Sequence, residues 1–266
     1  MKGLDSLEGR FALVTGGTSA MGVGIAQALL DKGAGVFLAD LDLDKLARTR
    51  DELLALCPGA DVGFARLDLL EPGCAAAAFA AALAHFPTID ILVNNAGLCR
   101  IHDVADLTNE HIDATFGVNV KGLLDMSKLF AAELIAQGKR GNIVNIASNA
   151  GKITFSGQLD YCASKAAVIN ITQSLAKEWA PQRINVNAVC PGAVDTDMLR
   201  YCMEDAVARS GGTLTVEDCR ETWGAEQLGR LVEPVEIGRV VAFLASDSAV
   251  VIRGQSINVD AGTTPY

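Results

Sequence analysis

Tyr161 and Lys165 stand four residues apart, and Ser148 precedes the tyrosine by thirteen. On a helix, residues at i and i+4 project from one face, about 6 Å apart along the axis. A phenol and an ammonium then share one microenvironment, which suits proton transfer. A free phenol titrates near about 10 and is a poor base at neutral pH. An ammonium about 4–5 Å away, at an effective dielectric near 20, favours the phenolate by about 3–4 kcal/mol. That lowers the pKa by about two to three and brings Tyr161 towards working pH, where a general acid-base is most effective. Ser148 can hold a substrate oxygen beside it. Y-x-x-x-K also arises by chance on amphipathic helices, so the rest of the chain has to decide.

Such a set needs a strand that delivers Ser148, a helix that carries Tyr161 and Lys165, and a sheet that holds both. Phe11 to Thr15 is a short apolar run that breaks into GGTSAMGVG, then a helical stretch over 21–32, then an apolar run over 36–39 closed by Asp40. This is a β-α-β unit. Glycines let backbone N–H groups approach a phosphate, and the helix N-terminus adds its partial positive charge. An acid at the end of the second strand can bind both hydroxyls of a ribose. The alternation continues with a helix over 42–56, a strand over 61–67 ending at Asp68, and a helix over 72–85. A strand over 89–93 runs into Asn94-Asn95-Ala96-Gly97. One long helix, N-capped by Thr108, is expected to reach about residue 137. The strand over 142–147 delivers Ser148, and the helix holding Tyr161 runs to about 179. A strand over 184–189 stops at Pro191-Gly192. Residues 196–231 read as irregular or helical, 234–245 as a helix and 255–259 as a last strand. The expectation is one α/β domain over 1–266, a doubly wound parallel sheet (a Rossmann fold) with a lid-like segment at about 196–231. Ligands of such sheets bind at the carboxyl ends of the strands, where all the singled-out residues fall.

Composition narrows the function. Half of the 266 residues are hydrophobic and the net charge is −10, with no basic stripe, so neither nucleic acid nor an anionic membrane is an expected partner. Seven cysteines without a C-x-x-C pair read as reduced thiols, not as a disulfide framework or zinc site, and three histidines lack ligand spacing. No metal is expected. Cys162 reads as a small packing residue and not as a redox switch. The first residues, MKGLDSLEGR, lack the apolar core of a signal peptide, so a cytoplasmic location is expected. Asn119 falls inside a helix, where its propensity is poor, which favours a special role. Asp68 and Asn95 could equally be turn residues.

In these motifs the chain resembles the short-chain dehydrogenase/reductase family, from Arg10 to about Gly262. The family's T-G-x-x-x-G-x-G is similar to Thr15 through Gly22, with Ala20 standing where the middle glycine is usual. N-N-A-G is Asn94 to Gly97, the helix asparagine is Asn119, the serine is Ser148, Y-x-A-S-K is Tyr161 to Lys165, and P-G is Pro191-Gly192 followed by Thr196. The resemblance implies Tyr161 as the acid-base, Lys165 as its modulator and a ribose ligand, Ser148 on the reacting oxygen, and Asn119 anchoring a water in a proton relay. It implies cofactor contacts at Gly16, Ser19, Met21, Asp40, Asp68, Leu69, Asn95, Gly97, Tyr161, Lys165, Pro191, Gly192, Val194 and Thr196. Substrate contacts fall to Ser148, Asn149, Gln158 and Tyr161.

The leading expectation is an NAD-dependent dehydrogenase interconverting a secondary alcohol and a ketone. A polyol or sugar is favoured because Asn149, Lys152, Gln158 and Asp195 cluster where the family's pocket lies, and because CASKAAVINITQSLA and INVNAVCPGAVDTDM resemble bacterial sorbitol- and galactitol-type enzymes. NAD is favoured over NADP because Asp40 would face the extra phosphate and Ser19 stands where a cation is common. A ketoreductase for acyl thioesters or diketones is the alternative on the same scaffold; residues 196–231 carry more acids than arginines and no lysine, which argues against a docked acyl carrier. An NAD-sensing protein without turnover would not need an intact Ser/Tyr/Lys set. By family habit, pairing through the long helices implies a homotetramer.

Overall fold

The computed structural model describes residues 3–264 and residue 266. Apolar runs of four to eight residues form the strands, because strands of a parallel sheet are covered on both faces. They are β1 (Phe11–Thr15), β2 (Gly35–Asp40), β3 (Val62–Arg66), β4 (Ile91–Asn94), β5 (Gly141–Ile146), β6 (Ile184–Pro191) and β7 (Ser256–Val259). Among the described residues they make one parallel sheet in the order β3-β2-β1-β4-β5-β6-β7. The order reverses between β1 and β4, which opens a crevice at their carboxyl ends.

Helices cover both faces. They are α1 (Ala20–Asp31), α2 (Leu43–Leu56), α3 (Cys74–His85), α4 (Asn109–Phe116), α5 (Leu123–Gln137), α6 (Leu159–Glu178), α7 (Asp197–Arg209), α8 (Val216–Ala225) and α9 (Pro234–Ala245). The strands' two-residue period divides the core. Val14 and Leu38 join Ile25, Leu29, Ile237 and Val241 on one face, while Leu13 and Phe37 join Phe79, Met126, Phe130 and Leu134 on the other. On the first face α1 and α9 meet backbone to backbone. A methyl group on Gly24 would lie 2.5 Å from the Pro234 carbonyl carbon, and one on Gly238 would lie 2.3 Å from the Gly24 oxygen.

The structure departs from expectation in one place and decides another that the sequence left as irregular or helical. The single helix over 108–137 is α4 and α5 joined by a π-helical turn, Gly117–Gly122. Its glycines make room for side chains arriving from the β3 end: methyl groups there would come within 2.5 Å of Leu70 at Gly117 and 2.7 Å of Leu69 at Gly122. The mouth segment over 196–231 is two helices, α7 and α8, N-capped by Thr196 and Thr215 and closed around Met203, Cys219 and Leu231.

Candidate active site

β5 ends at Ile146, and two residues later Ser148 opens a single 3₁₀ turn, its Oγ accepting from the Ala150 N–H at 3.1 Å. Tyr161 and Lys165 lie in the first two turns of α6. The Ser148 hydroxyl favours the ionised form of the Tyr161 phenol. Lys165 Nζ lies 5.6 Å from the centroid of the Tyr161 ring and donates to the Ile146 carbonyl at 2.8 Å. Burial lowers the Lys165 ammonium to about 8. Burial also pushes the Tyr161 phenol upward, and the neighbouring thiols Cys99, Cys202 and Cys162 add to it. The downward shift expected from the bare pair is therefore corrected: desolvation outweighs the pull of Ser148 and keeps the phenol protonated.

Asn119 sits in the π turn, a feature frequent at functional sites. Its Oδ1 accepts from the Leu98 N–H at 2.7 Å, and its Nδ2 donates to the Leu98 carbonyl at 2.9 Å and to Ser164 Oγ at 2.9 Å. Ser164 donates in turn to the Tyr161 carbonyl at 2.7 Å. The Asn119 side chain thus braces the β4 loop against the catalytic helix. Asp160, buried next to Tyr161, accepts from Thr115 Oγ1 at 2.5 Å and ties α6 to α4. Below lies a buried chain that sequence reasoning missed: Asn94 donates to Ser127 and Asn145, and Asn145 to Thr172. The periodic pattern hides it, since each residue occupies an interior strand or helix position.

The cofactor half stands on the turn between β1 and α1. Gly16 has φ +64°, and a methyl group there would lie 2.8 Å from Ala96 Cα. Ser19 caps α1, its Oγ accepting from the Gly22 N–H at 3.0 Å. Ala20 is half-exposed as the first residue of the helix, so its methyl is accommodated. Met21 packs against the core below. Asp40 is anchored by a residue not singled out from sequence: Thr18 donates to Asp40 Oδ2 from its N–H at 2.9 Å and its hydroxyl at 2.7 Å, while Oδ1 accepts from the Leu41 N–H at 2.7 Å. Asn95 braces the turn, donating to the carbonyls of Thr15 and Gly16, each at 2.9 Å. Its side-chain donors are committed to the protein, so its place is a positioning one. Asp68 caps its own turn by accepting from the Leu70 N–H at 2.9 Å, and Leu69 packs over Gly122. A methyl on Gly97 would stand 3.5 Å from Lys165 Nζ and 3.6 Å from Asn119 Oδ1, so this glycine keeps backbone close to both.

Pro191 ends β6, and Gly192 fits against Asp260, whose Cβ would lie 2.7 Å from an added methyl. Val194 forms an isolated bridge with Val232, and Thr196 Oγ1 caps α7. Between this edge and the α1 N-terminus is a cavity of about 500 Å³, lined by Ala20, Thr196, Leu199, Met203, Val216 and Arg220 among others. These residues fit a nicotinamide dinucleotide. The turn offers N–H groups at a helix N-terminus, and Asp40 accepts three hydrogen bonds where a carboxylate has about four sites, leaving capacity for a hydroxyl.

Two polar residues expected in the substrate pocket have protein partners, although Asp195 does line the cavity. Lys152 reaches the Ser256 carbonyl on β7 at 2.9 Å, and Asp195 is held by a two-pronged ion pair with Arg220 of α8. That guanidinium keeps the Asp195 carboxyl below the usual carboxylate range. Asn149 is buried with its Oδ1 3.4 Å from Ser148 Oγ, and Gln158 Nε2 reaches Cys202 Sγ on α7 at 3.8 Å.

A family model described as short chain dehydrogenase matches residues 10–206. The chain is 34% identical over 266 residues to the NAD-dependent glycerol dehydrogenase of Listeria innocua, covering 99% of this chain and 98% of that one. It is 35% identical over 257 residues to the galactitol 2-dehydrogenase of Agrobacterium fabrum, covering 96% and 98%. Among solved structures, a variant of actinorhodin polyketide ketoreductase with NADPH superposes with a TM-score of 0.90 at 33% identity, each chain covered in full. Fold, strand-end geometry and sequence agree, and the chain is an oxidoreductase of the short-chain dehydrogenase family.

Proposed function

We propose that the protein is an NAD-dependent dehydrogenase that interconverts a secondary alcohol and a ketone, with a polyol or sugar as substrate. The anchored Asp40 carboxylate at the end of β2 carries the cofactor half of this reading. A 2′-phosphate about 4 Å from it would meet like charge worth several kcal/mol at an effective dielectric near 20. The nearest cation in sequence, Lys45, sits on the first turn of α2 beside Asp42, the carboxylate that caps that helix. When bound, the nicotinamide exchanges hydride with the carbon that bears the oxygen. Tyr161 gives its proton to the carbonyl oxygen in reduction and recovers one from the alcohol in oxidation. Ser148 holds that oxygen beside the phenol. Lys165 opposes the negative charge of the phenolate. Because burial keeps the phenol protonated, reduction is favoured at neutral pH and oxidation gains with rising pH.

The polyol half rests on the relatives named for glycerol and galactitol. A ketoreductase acting on carrier-bound thioesters is the second reading, favoured by the likeness to actinorhodin ketoreductase. Against a docked acidic carrier, each arginine of residues 196–231 is already in an ion pair: Arg200 with Glu204, Arg209 with Asp103 and Asp205, Arg220 with Asp195, Arg230 with Glu236. A panel of about twenty alcohols and ketones, each run with NAD(H) and NADP(H), tests both readings. NADH formation from polyols supports the first. Thioester reduction far faster than any polyol oxidation supports the second. We place the enzyme in the cytoplasm. We further propose that it is a homotetramer, since the outward face of α6 at Ala163 and Ala166 is small, exposed and uncharged.

A further inference from the structure

The turn from β3 into α3 is closed on itself by two side chains that the proposed reaction does not use, Arg66 and Cys74. α3 begins without a side-chain cap, and Gly73, at φ +82°, turns the chain back so that Cys74, its first residue, lies against the end of β3. Cys74 is a buried free thiol. Its sulfur accepts from the Asp68 N–H at 3.1 Å and from Arg66 Nη1 at 3.8 Å, and its S–H donates to the Arg66 carbonyl at 3.9 Å. Arg66 Nη1 also donates to Glu71 Oε2 at 2.7 Å, and Nη2 lies 3.5 Å from Asp68 Oδ2. Backbone bonds complete the closure: the Glu71 N–H donates to the Asp68 carbonyl at 3.2 Å, and the Cys74 N–H to the Glu71 carbonyl at 3.2 Å. Cys74 thus holds the backbone of Asp68, while Arg66 faces its carboxylate.

Asp68 is fixed beside the place where the cofactor's adenosine belongs. Asp40 and Arg66 are partners in the β2–β3 ladder, and the Leu67 N–H donates to the Asp40 carbonyl at 2.7 Å. Neighbouring strands lie about 4.8 Å apart, less than the length of a purine, so a base on a ribose held by Asp40 reaches the turn after β3. There Asp68 has acceptor capacity left. Oδ1 takes the Leu70 N–H at 2.9 Å and Oδ2 faces Arg66, while a carboxylate has about four acceptor sites. The exocyclic amino group of adenine is a donor that suits it. We propose that Cys74 is a positioning residue for adenine recognition: its sulfur, with Arg66 beside it, sets the Asp68 carboxylate against that amino group. The inference rests on the cofactor half of the function proposed above. Without the sulfur, the N–H of half-buried Asp68 is left unpaired, and the turn must shift to bring it to water.

Binding is read by fluorescence titration with NADH and with reduced nicotinamide hypoxanthine dinucleotide, in which a carbonyl oxygen replaces the adenine amino group. The parent should prefer NADH by at least about fivefold, the effect of one hydrogen bond to a carboxylate. Cys74→Ala should bring that ratio to within about twofold of unity, as should Asp68→Ala. Cys74→Ser, which restores an acceptor, should keep the parental ratio. Arg66→Met, on the exposed side of the turn, should lower the ratio in the same sense, so the answer does not depend on the folding of Cys74→Ala. A merely structural role for Cys74 would weaken both nucleotides equally and leave the ratio unmoved. That outcome overturns the proposal, as does a parent that binds the two nucleotides alike. A protein that shows the expected ratios but turns over no alcohol or ketone sinks the functional reading and leaves this one standing. Turnover with an unmoved ratio in Cys74→Ala does the reverse, and failure to bind either nucleotide overturns both.

Discussion

Burial acts on Tyr161 and Lys165 in opposite senses, lifting the phenol and lowering the ammonium to about 8. Between pH 8 and 10.5, where a free lysine titrates, the unfolded chain binds a proton at Lys165 that the native state has given up. Stability from this residue therefore rises with pH across that window and is at its lowest below 8. Lys165→Met should lose activity yet melt several degrees above the parent at pH 7, with the gap narrowing above pH 8 and closing only near pH 10.5. Melting curves across that range check it, and a gap independent of pH would contradict the assignment. The raised Tyr161 intrudes only above about pH 10. Tyr161→Phe removes the proton donor and little else, so turnover should fall by at least about 10²-fold with NADH affinity nearly intact. A variant keeping more than about a tenth of the parental rate removes the phenol from the reaction. At the other end of the site, Asp40→Ala should weaken NAD and partly admit NADP. Thr18→Val should reproduce part of that loss, because Thr18 fixes the carboxylate from two directions. Fluorescence titration with NADH and NADPH measures both, and unchanged NADH affinity in Asp40→Ala would move the ribose elsewhere. Asp40 was readable from sequence as the acid closing the second strand. Thr18 was not, because its partner lies 22 residues away and only the folded turn brings them together.

Elements were legible where their periodicity is simple. Strands buried on both faces appear as short apolar runs, and Ser148, Asp40 and Pro191 could be placed at strand ends from that signal alone. The π turn was hidden, because one wider turn barely disturbs the apolar pattern of a long helix. Gly117 and Gly122 were its only trace, and their purpose shows in Leu70 and Leu69. The helices of the mouth segment left a clearer mark that was passed over: Thr215 and Asp218 form a capping box. The α1–α9 contact is the element-scale feature most open to test. At Gly238 an added methyl meets backbone, which cannot swing aside. Gly238→Ala should destabilise the protein by about 1–3 kcal/mol, the usual cost of overpacking, while the remaining folded enzyme keeps its KM. Thermal or urea unfolding measures the first and steady-state kinetics the second; an unchanged melting point would mean that the helices part easily.

The whole molecule is a single sheet with all its proposed chemistry on one edge. Among the described residues no helix is long and apolar enough to cross a membrane. Light scattering at micromolar protein should give a tetramer mass, and Ala166→Glu, which plants a charge on the outward face of α6, should lower it. A monomer in the parental protein would remove the assembly proposal. Gly24 and Gly238 touch, yet they lie roughly two hundred residues apart along the chain, a closure that carries a large entropic cost. On a ribosome the glycine-rich turn emerges roughly two hundred residues before α9. Until α9 emerges, the apolar flank of α1, with Ile25 and Leu29, has no α9 to cover it. Nascent chains of this protein should accordingly be clients of chaperones that shield apolar surface, and nucleotide affinity should be acquired late in translation, once Pro234–Ala245 has left the exit tunnel.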